Sequence, residues 1–141
     1  MAPGNTGTGA VLEQMVLPAL QRGRYQYQTQ VIIGTRPGGG RPVVDVVLID
    51  PKGQKYLISL KWQQVGGTAE QKVPFEAICL AEAIRTSQGQ HHKAYIVLGG
   101  DGWSLRDFYL RGGLNAHLTY GNLVSFESLE SFVAKANQGK L

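Results

Sequence analysis

The chain has 141 residues, of which 43% are hydrophobic, and it carries a formal net charge of +4 with a pI near 9.3. The length suits one domain over residues 1–141 with a single core, and the hydrophobic content excludes a disordered chain. No apolar run approaches the roughly 20 residues of a membrane span, residues 1–9 do not resemble a signal peptide, and the single Cys79 cannot form an internal disulfide. We therefore expect a cytoplasmic protein without membrane contact, whose moderate positive charge permits binding to nucleic acid without demonstrating it.

The first third of the chain predicts a flexible lead-in over residues 1–7, a helix over residues 8–20 and a strand over residues 25–33. Apolar residues at helical spacing indicate the helix, and Glu13 falls within it. Strict alternation of glutamines with aromatic and β-branched residues indicates the strand, one face of which suits water or a polar partner.

A segment rich in Gly and Pro over residues 34–42 follows the first strand. Such a segment cannot pack a core, so it predicts a mobile surface loop. It carries Arg36 and Arg41, and two interpretations remain open. The loop is either a flexible hairpin tip or an arm that lays both arginines on the DNA backbone.

Two apolar runs over residues 41–50 and 55–63 are joined by the turn Asp50-Pro-Lys-Gly53. So short a connection predicts an antiparallel hairpin. Asp45 and Lys61 then lie towards the same open end of that hairpin. A carboxylate on the partner strand would stabilise a lysine in so apolar a run and would also bind a divalent metal. The alternative is a cross-strand ion pair on a solvated face, worth only a few tenths of a kcal/mol.

The second half of the chain predicts alternating helices and strands. Residues 68–71 have the form of a capping box, so a helix begins there and continues to about Arg85, with Pro74 disturbing its first turn. The helical crossover predicts that the following strand runs parallel to the second hairpin strand. The remaining predicted elements are a buried strand over residues 93–98, a short helix over 104–111, a strand over 123–126 and a last helix over 129–136.

This order of elements resembles the αβββαβ core of the PD-(D/E)xK nuclease superfamily, over roughly residues 11–98. The resemblance implies an α/β, restriction-endonuclease-like fold with a mixed sheet flanked by helices. It implies that Asp45 is the metal-binding aspartate, that Lys61 is the catalytic lysine and that Glu13 is the first-helix glutamate of many members. Ser59 stands in the place of the second acid.

Two features depart from the family pattern. Residues 42–45, Pro-Val-Val-Asp, separate the proline from Asp45, and Ser59 cannot act as a metal-binding carboxylate. One branch of restriction endonucleases shares the Ser-x-Lys form and takes the missing acid from a glutamate of the following helix. Glu76 lies at the spacing of that branch and Glu70 is the rival. Gln63 shares a strand face with Lys61 and is either a further ligand or orienting group, or a solvated residue at the strand end.

The resemblance implies a Mg²⁺-dependent DNA endonuclease of restriction or homing type, with Mn²⁺ able to substitute. Asp45, Glu76 and Glu13 are the implied metal ligands, since carboxylates hold Mg²⁺ on oxygen atoms. The spacing of His91, His92 and His117 does not suit zinc. Residues 99–103 read as a strand-to-helix turn, which places Trp103 and Arg106 among the candidate DNA contacts.

Double-stranded DNA is the expected partner. A chain this small has little surface for reading a long site, so we expect a homodimer or homotetramer with residues 123–136 as the candidate contact. The alternatives are a Holliday junction resolvase and, from a different class, a nuclease-fold DNA-binding protein that no longer cuts. The serine at position 59 is the main support for the inactive protein.

Overall fold

The computed structural model describes residues 8–34 and 37–141. The predicted lead-in over residues 1–7 lies outside the described residues, and so does Arg36. Within the described ranges no helix is both long and apolar enough to cross a membrane.

The centre of the molecule is a five-stranded mixed sheet with strand order β1-β2-β3-β4-β5. The strands β1, β2 and β3 pair antiparallel, whereas β3, β4 and β5 pair parallel. The predicted hairpin and the predicted parallel crossover are both confirmed. The five strands span Gln26–Ile32, Val43–Ile49, Lys55–Trp62, His91–Gly99 and Val124–Ser128.

Helices cover both faces of this sheet. On one face, α1 (residues 8–22) and α4 (Leu129–Asn137) pack on the alternate strand residues that include Val46, Ile58 and Val97. On the other face lie α2 (Ala69–Arg85) and the short α3 (Arg106–Leu110), which cover the complementary strand residues. The two apolar clusters confirm an α/β fold whose core begins with the order αβββαβ.

The predicted first helix is present but is not uniform. It consists of an α-helical turn at Thr8–Val11, a π-helical turn at Leu12–Val16 and an α-helix at Leu17–Arg22. Pro18 has no N–H to donate to the preceding turn, and the Leu17 N–H donates instead to the Leu12 carbonyl, five residues back. The helix thus contains one widened turn before Pro18 and continues past the proline.

The start of α2 differs from the predicted capping box. The Thr68 side chain makes no capping hydrogen bond, and Pro74 lies within the helix. Pro74 leaves the Glu70 carbonyl without its normal donor four residues on. The Tyr109 hydroxyl, on α3, donates to that carbonyl at 2.8 Å. A tertiary contact thus satisfies the backbone group that the proline leaves open, and the helix continues.

The segment predicted to mediate oligomer contact is partly used inside the chain. Phe132 and Ala136 of α4 are fully buried in the cluster that α4 shares with α1. Within the described part of the chain, β5 lies at the edge of the sheet and pairs with β4 alone. Any contact between copies through this segment would therefore use β5 or the outer face of α4.

Candidate active site

The hairpin strands β2 and β3 separate at the end that carries Asp45 and Lys61. Their ladder ends at the pair Val46 and Ile58, beyond which β2 continues to pair with β1, and β3 with β4. The Leu60 N–H, left without a ladder partner, donates to Asp45 Oδ2 at 2.7 Å. We call this separation of β2 and β3 the fork. The Asp45 carboxylate is held there, between the two diverging strands.

Burial dominates the electrostatics of Asp45 and raises the pKa of its carboxyl. The Leu60 N–H and the nearby Lys61 ammonium act in the opposite direction, and the carboxylate of Glu76 adds to the rise. Because the Asp45 pKa responds to both Lys61 and Glu76, the three charged groups form one electrostatic unit. A partly buried carboxylate between a cation and a second anion is typical of functional sites.

Sequence reasoning missed Gln30, which lies opposite Asp45 on β1. Its neighbours Thr29 and Val31 pair with Val46 and Val44, so the register places it beside Asp45. Gln30 has φ 52°, a left-handed conformation inside a strand, and its side chain hydrogen-bonds to the Asp45 carboxylate. Such backbone strain costs about 1–3 kcal/mol and is concentrated at functional sites. Counting the register between β1 and β2 would have placed Gln30 opposite Asp45, but it would not have shown the left-handed backbone at Gln30.

We expect Gln30→Gly to lower activity without lowering stability by more than about 1 kcal/mol. Glycine adopts the positive φ without strain, which offsets the greater flexibility of the unfolded chain, but it removes the hydrogen bond to Asp45. Denaturant unfolding measures the stability, and initial rates of the DNA cleavage expected from the sequence measure the activity. Gln28→Gly, at an exposed position of the same strand, is the matched control. It should lose stability and keep full activity, and equal activities of the two variants would contradict a positioning role for Gln30.

The second half of the cluster joins β3 to α2. Lys61 forms an ion pair with Glu76 Oε2, and their side chains are 31% and 28% exposed. The Ser59 hydroxyl donates to the same Glu76 oxygen at 2.6 Å. Ser59 thus contacts the carboxylate of the glutamate that was favoured on spacing as the missing acid. Asp45, Ser59, Lys61 and Glu76 meet at the fork on the α2 face of the sheet.

Glu70, the rival for the missing acid, lies in a different network. Its carboxylate accepts hydrogen bonds from the Ser104 N–H, from the Ser104 hydroxyl at 2.8 Å and from the Leu105 N–H at 3.2 Å. Burial by itself would raise the pKa of the Glu70 carboxyl, but these bonds outweigh it and the pKa is lowered. Glu70 therefore fastens the turn after β4 to the first turn of α2.

Gln63 belongs to the Glu70 network and is buried, which contradicts the solvated alternative. Its side-chain amide donates to Glu70 Oε1 at 3.0 Å and to the Gly102 carbonyl at 2.7 Å. The loop approaches so closely that a Cβ on Gly100 would lie 2.4 Å from the Gln63 carbonyl oxygen. Gln63, two residues beyond Lys61, consequently ties the end of β3 to the loop after β4.

Glu13 is exposed and lies in the π-helical turn of α1, on the opposite layer from α2. None of the hydrogen bonds or ion pairs found in residues 8–34 and 37–141 joins it to the fork. Across the same ranges, no group of three or more His, Cys, Asp or Glu side chains is arranged to hold a metal. The fork itself offers two carboxylates and one hydroxyl.

The candidate DNA-contact residues within the described ranges differ in how exposed they are. Trp103 is only 7% exposed and its indole N–H donates to the Gly99 carbonyl at 2.8 Å, so little of this side chain is accessible for the predicted DNA contact. The glycine-rich turn folds back on β3 and carries the ring into the core. Arg106 is half-buried at the start of α3, and Arg41 is exposed beside Pro42.

A family model described as a PD-(D/E)XK nuclease superfamily domain matches residues 4–140. The chain is similar in structure to a protein of unknown function, AF1548, with 14% sequence identity and a TM-score of 0.48. That likeness covers 80% of this chain and 54% of the other, so the chain spans about half the length of that protein. No curated protein sequence matches the chain.

Proposed function

The chain belongs to the PD-(D/E)XK nuclease superfamily, and from this premise we propose that it is a Mg²⁺-dependent endonuclease that cuts DNA. Nucleases of this superfamily generally use divalent metal ions. The observation that carries the proposal is the convergence of Asp45, Lys61 and Glu76 at the fork between β2 and β3. The resemblance described above favours a homo-oligomer of restriction or homing type acting on double-stranded DNA, with junction resolution as the alternative.

The donor atoms at the fork fit a hard divalent cation. Mg²⁺ sites in nucleases and polymerases use one or two carboxylates together with water and substrate phosphate, so Asp45 and Glu76 would suffice. When bound, such an ion stabilises charge on the phosphate and lowers the pKa of a water molecule. Ser59 would orient the Glu76 carboxylate through the hydrogen bond that it already donates.

The other residues of the fork act on the substrate directly or through Asp45. The Lys61 ammonium would neutralise charge that develops on the phosphate oxygens and would orient the attacking water. The Leu60 N–H and the Gln30 side chain hold the Asp45 carboxylate in place. Fixed groups of this kind aid catalysis because they need no reorganisation during the reaction.

Lys61→Met should lower the Mg²⁺-dependent cleavage rate by a factor of about 10²–10³, since it keeps the apolar stem but removes the charge aimed at the phosphate. Initial rates on supercoiled and linear DNA, with Mg²⁺ varied, measure the effect. Lys135→Met is the matched control, because Lys135 pairs with Glu127 at 2.9 Å on α4, on the other layer of the sheet. If Lys61→Met cleaves within a few-fold of the wild-type rate, Lys61 has no catalytic role and forms only a surface ion pair.

A second candidate function is DNA binding without cleavage, and Ser59 supports it because the usual second acid of the strand is missing. The same assay separates the two functions. Metal-dependent products from wild-type protein that disappear with EDTA support the nuclease. DNA that is bound and stays intact at all Mg²⁺ and Mn²⁺ concentrations supports the binding protein.

A further inference from the structure

A groove of about 410 Å³ lies beside the fork, between α2 and the start of β2. Its volume is near the lower end of the range of about 300–1,000 Å³ for pockets that enclose one small ligand. The ion pair of Lys61 and Glu76 belongs to its wall. The other lining residues are Pro42 on the strand side and Gln71, Lys72, Phe75 and Cys79 on the helix.

Phe75 gives this groove an aromatic surface. Its side chain is 49% exposed, and in residues 8–34 and 37–141 its ring forms no aromatic or cation–π pair. Phe75 precedes Glu76 directly, so the ring lies beside the carboxylate that reaches the fork. An exposed ring next to a site for phosphate chemistry is suited to stacking against a nucleobase.

Lys72 gives the groove a positive charge that is not paired with any carboxylate of residues 8–34 and 37–141. It lies three residues before Phe75, so the two side chains are neighbours on the surface of α2. The ion pairs in the described ranges engage Lys61 but not Lys72. A free cation and a free ring on one wall match the phosphate and the base of a single nucleotide.

We propose that this groove holds one unpaired nucleotide of a DNA strand next to the cut, with its base stacked on Phe75 and its phosphate against Lys72. The proposal rests on the nuclease function and, of the two substrate classes named for it above, selects junction-like DNA over the intact duplex of a restriction enzyme. Both faces of a base in an intact duplex are covered by neighbouring bases, so stacking on a side chain requires a base outside the stack. The favoured substrate is DNA with an unpaired strand at the cut, as in branched or junction DNA, because a base that is already outside the stack costs least to place on the ring.

Binding of a short single strand that contains 2-aminopurine, measured in EDTA to prevent cleavage, tests the groove. Stacking on the ring should quench the fluorescence on binding to wild-type protein. Phe75→Leu should abolish the quenching and weaken affinity about tenfold, which is within the range for losing one base–aromatic contact. Phe75→Tyr should keep both. Tyr120→Leu removes an aromatic ring that is 44% exposed and lies outside the groove, and it should behave as wild type.

The salt dependence of the same binding tests Lys72. Lys72→Gln should reduce the slope of log affinity against log salt by about 0.7, the value for one phosphate contact of a single strand. Lys52→Gln, in the exposed β2–β3 turn at the other end of the hairpin, should leave the slope unchanged. Equal slopes for the two variants would show that Lys72 does not contact a phosphate of the bound strand.

Cleavage of matched forked and fully paired substrates then separates this inference from the nuclease function. The inference expects wild-type protein to cut the forked DNA at least tenfold faster (an order-of-magnitude expectation from one stacked base). Equal cutting of both, or unchanged binding and cutting by Phe75→Leu, overturns the groove and leaves the nuclease standing. Quenching that depends on Phe75 without any cleavage overturns the nuclease and leaves the groove standing. Wild-type protein that binds no strand overturns the groove.

Discussion

Asp45→Asn protein should cut DNA at least about 10³-fold more slowly than wild type and should bind DNA as tightly or more tightly. Asparagine keeps the shape of aspartate, and its side-chain oxygen can still accept the hydrogen bond from the Leu60 N–H that closes the fork. The fold should therefore persist. The negative charge is lost, which removes a metal ligand and also removes repulsion of the DNA phosphates.

Cleavage rates, together with DNA affinity measured without divalent metal, check this expectation. Asp50→Asn is the matched control, because Asp50 also accepts backbone N–H groups, those of Lys52 and Gln54, but at the opposite end of the hairpin. It should cut at the wild-type rate. Substantial residual cutting by Asp45→Asn would show that Asp45 is not required for cleavage. The nuclease function itself would then stand without Asp45 as a metal ligand.

Glu76→Gln and Glu70→Gln should have opposite effects. Glu76→Gln should lose most cleavage and little stability. Glu76 and Lys61 are partly exposed, so Lys61 can bind water, and the glutamine oxygen can still accept the hydrogen bond from the buried Ser59 hydroxyl. Glu70→Gln should lose about 2–3 kcal/mol of unfolding free energy, since its amide replaces an acceptor that Ser104 and Leu105 need in a buried site. Its cleavage rate per folded molecule should stay near that of wild type.

The pH dependence of unfolding gives Glu70 a second test. Its pKa is lowered from 4.5 in the folded state, so the folded chain holds fewer protons than the unfolded chain in that range. The Glu70 contribution is therefore fully present above about pH 4.5 and is lost as the pH falls through the folded pKa. Glu70→Gln should flatten this acid limb of stability. Wild-type cleavage by Glu76→Gln together with a folded but inactive Glu70→Gln would reverse the assignment.

An exchange of positions sharpens the role of Glu76. The double variant Ser59→Glu with Glu76→Ser moves the carboxylate to the strand position that the superfamily usually uses. The two side chains already touch at 2.6 Å, so the carboxylate stays close to the fork. Cleavage above that of Glu76→Ser alone would support the exchange, whereas equal rates would show that the helix position is required.

The sequence by itself determined the parts of this protein that depend on local patterns. Alternation and turn residues predicted the β2–β3 hairpin, and helical spacing predicted α2 and the parallel strand after it, all of which are confirmed. The hairpin turn also set Asp45 and Lys61 at the same open end, because antiparallel pairing follows from the length of the connection. The family followed from the same residues.

Only the tertiary structure decided that Glu76 contacts Lys61 at the fork and that Glu70 binds the turn after β4. Glu70 and Glu76 lie six residues apart on one helix, and both suited the missing acid. Their surroundings differ because the glycine-rich turn after β4 folds onto the first turn of α2 and surrounds Glu70 with donors from Ser104 and Leu105. Ser104 and Leu105 lie 34 and 35 positions after Glu70 in the chain, and no local sequence pattern encodes a contact over such a separation.

The same reason explains Trp103 and Gln30. The burial of Trp103 depends on the backbone of the turn reaching β3, where the Gly102 N–H donates to the Gln63 carbonyl at 2.8 Å. The left-handed conformation of Gln30 falls where the β1–β2 ladder passes Asp45, between the pairs Thr29–Val46 and Val31–Val44. Periodicity assigns residues to faces of a helix or strand, but the side chain that each one meets is decided only when separate elements pack together.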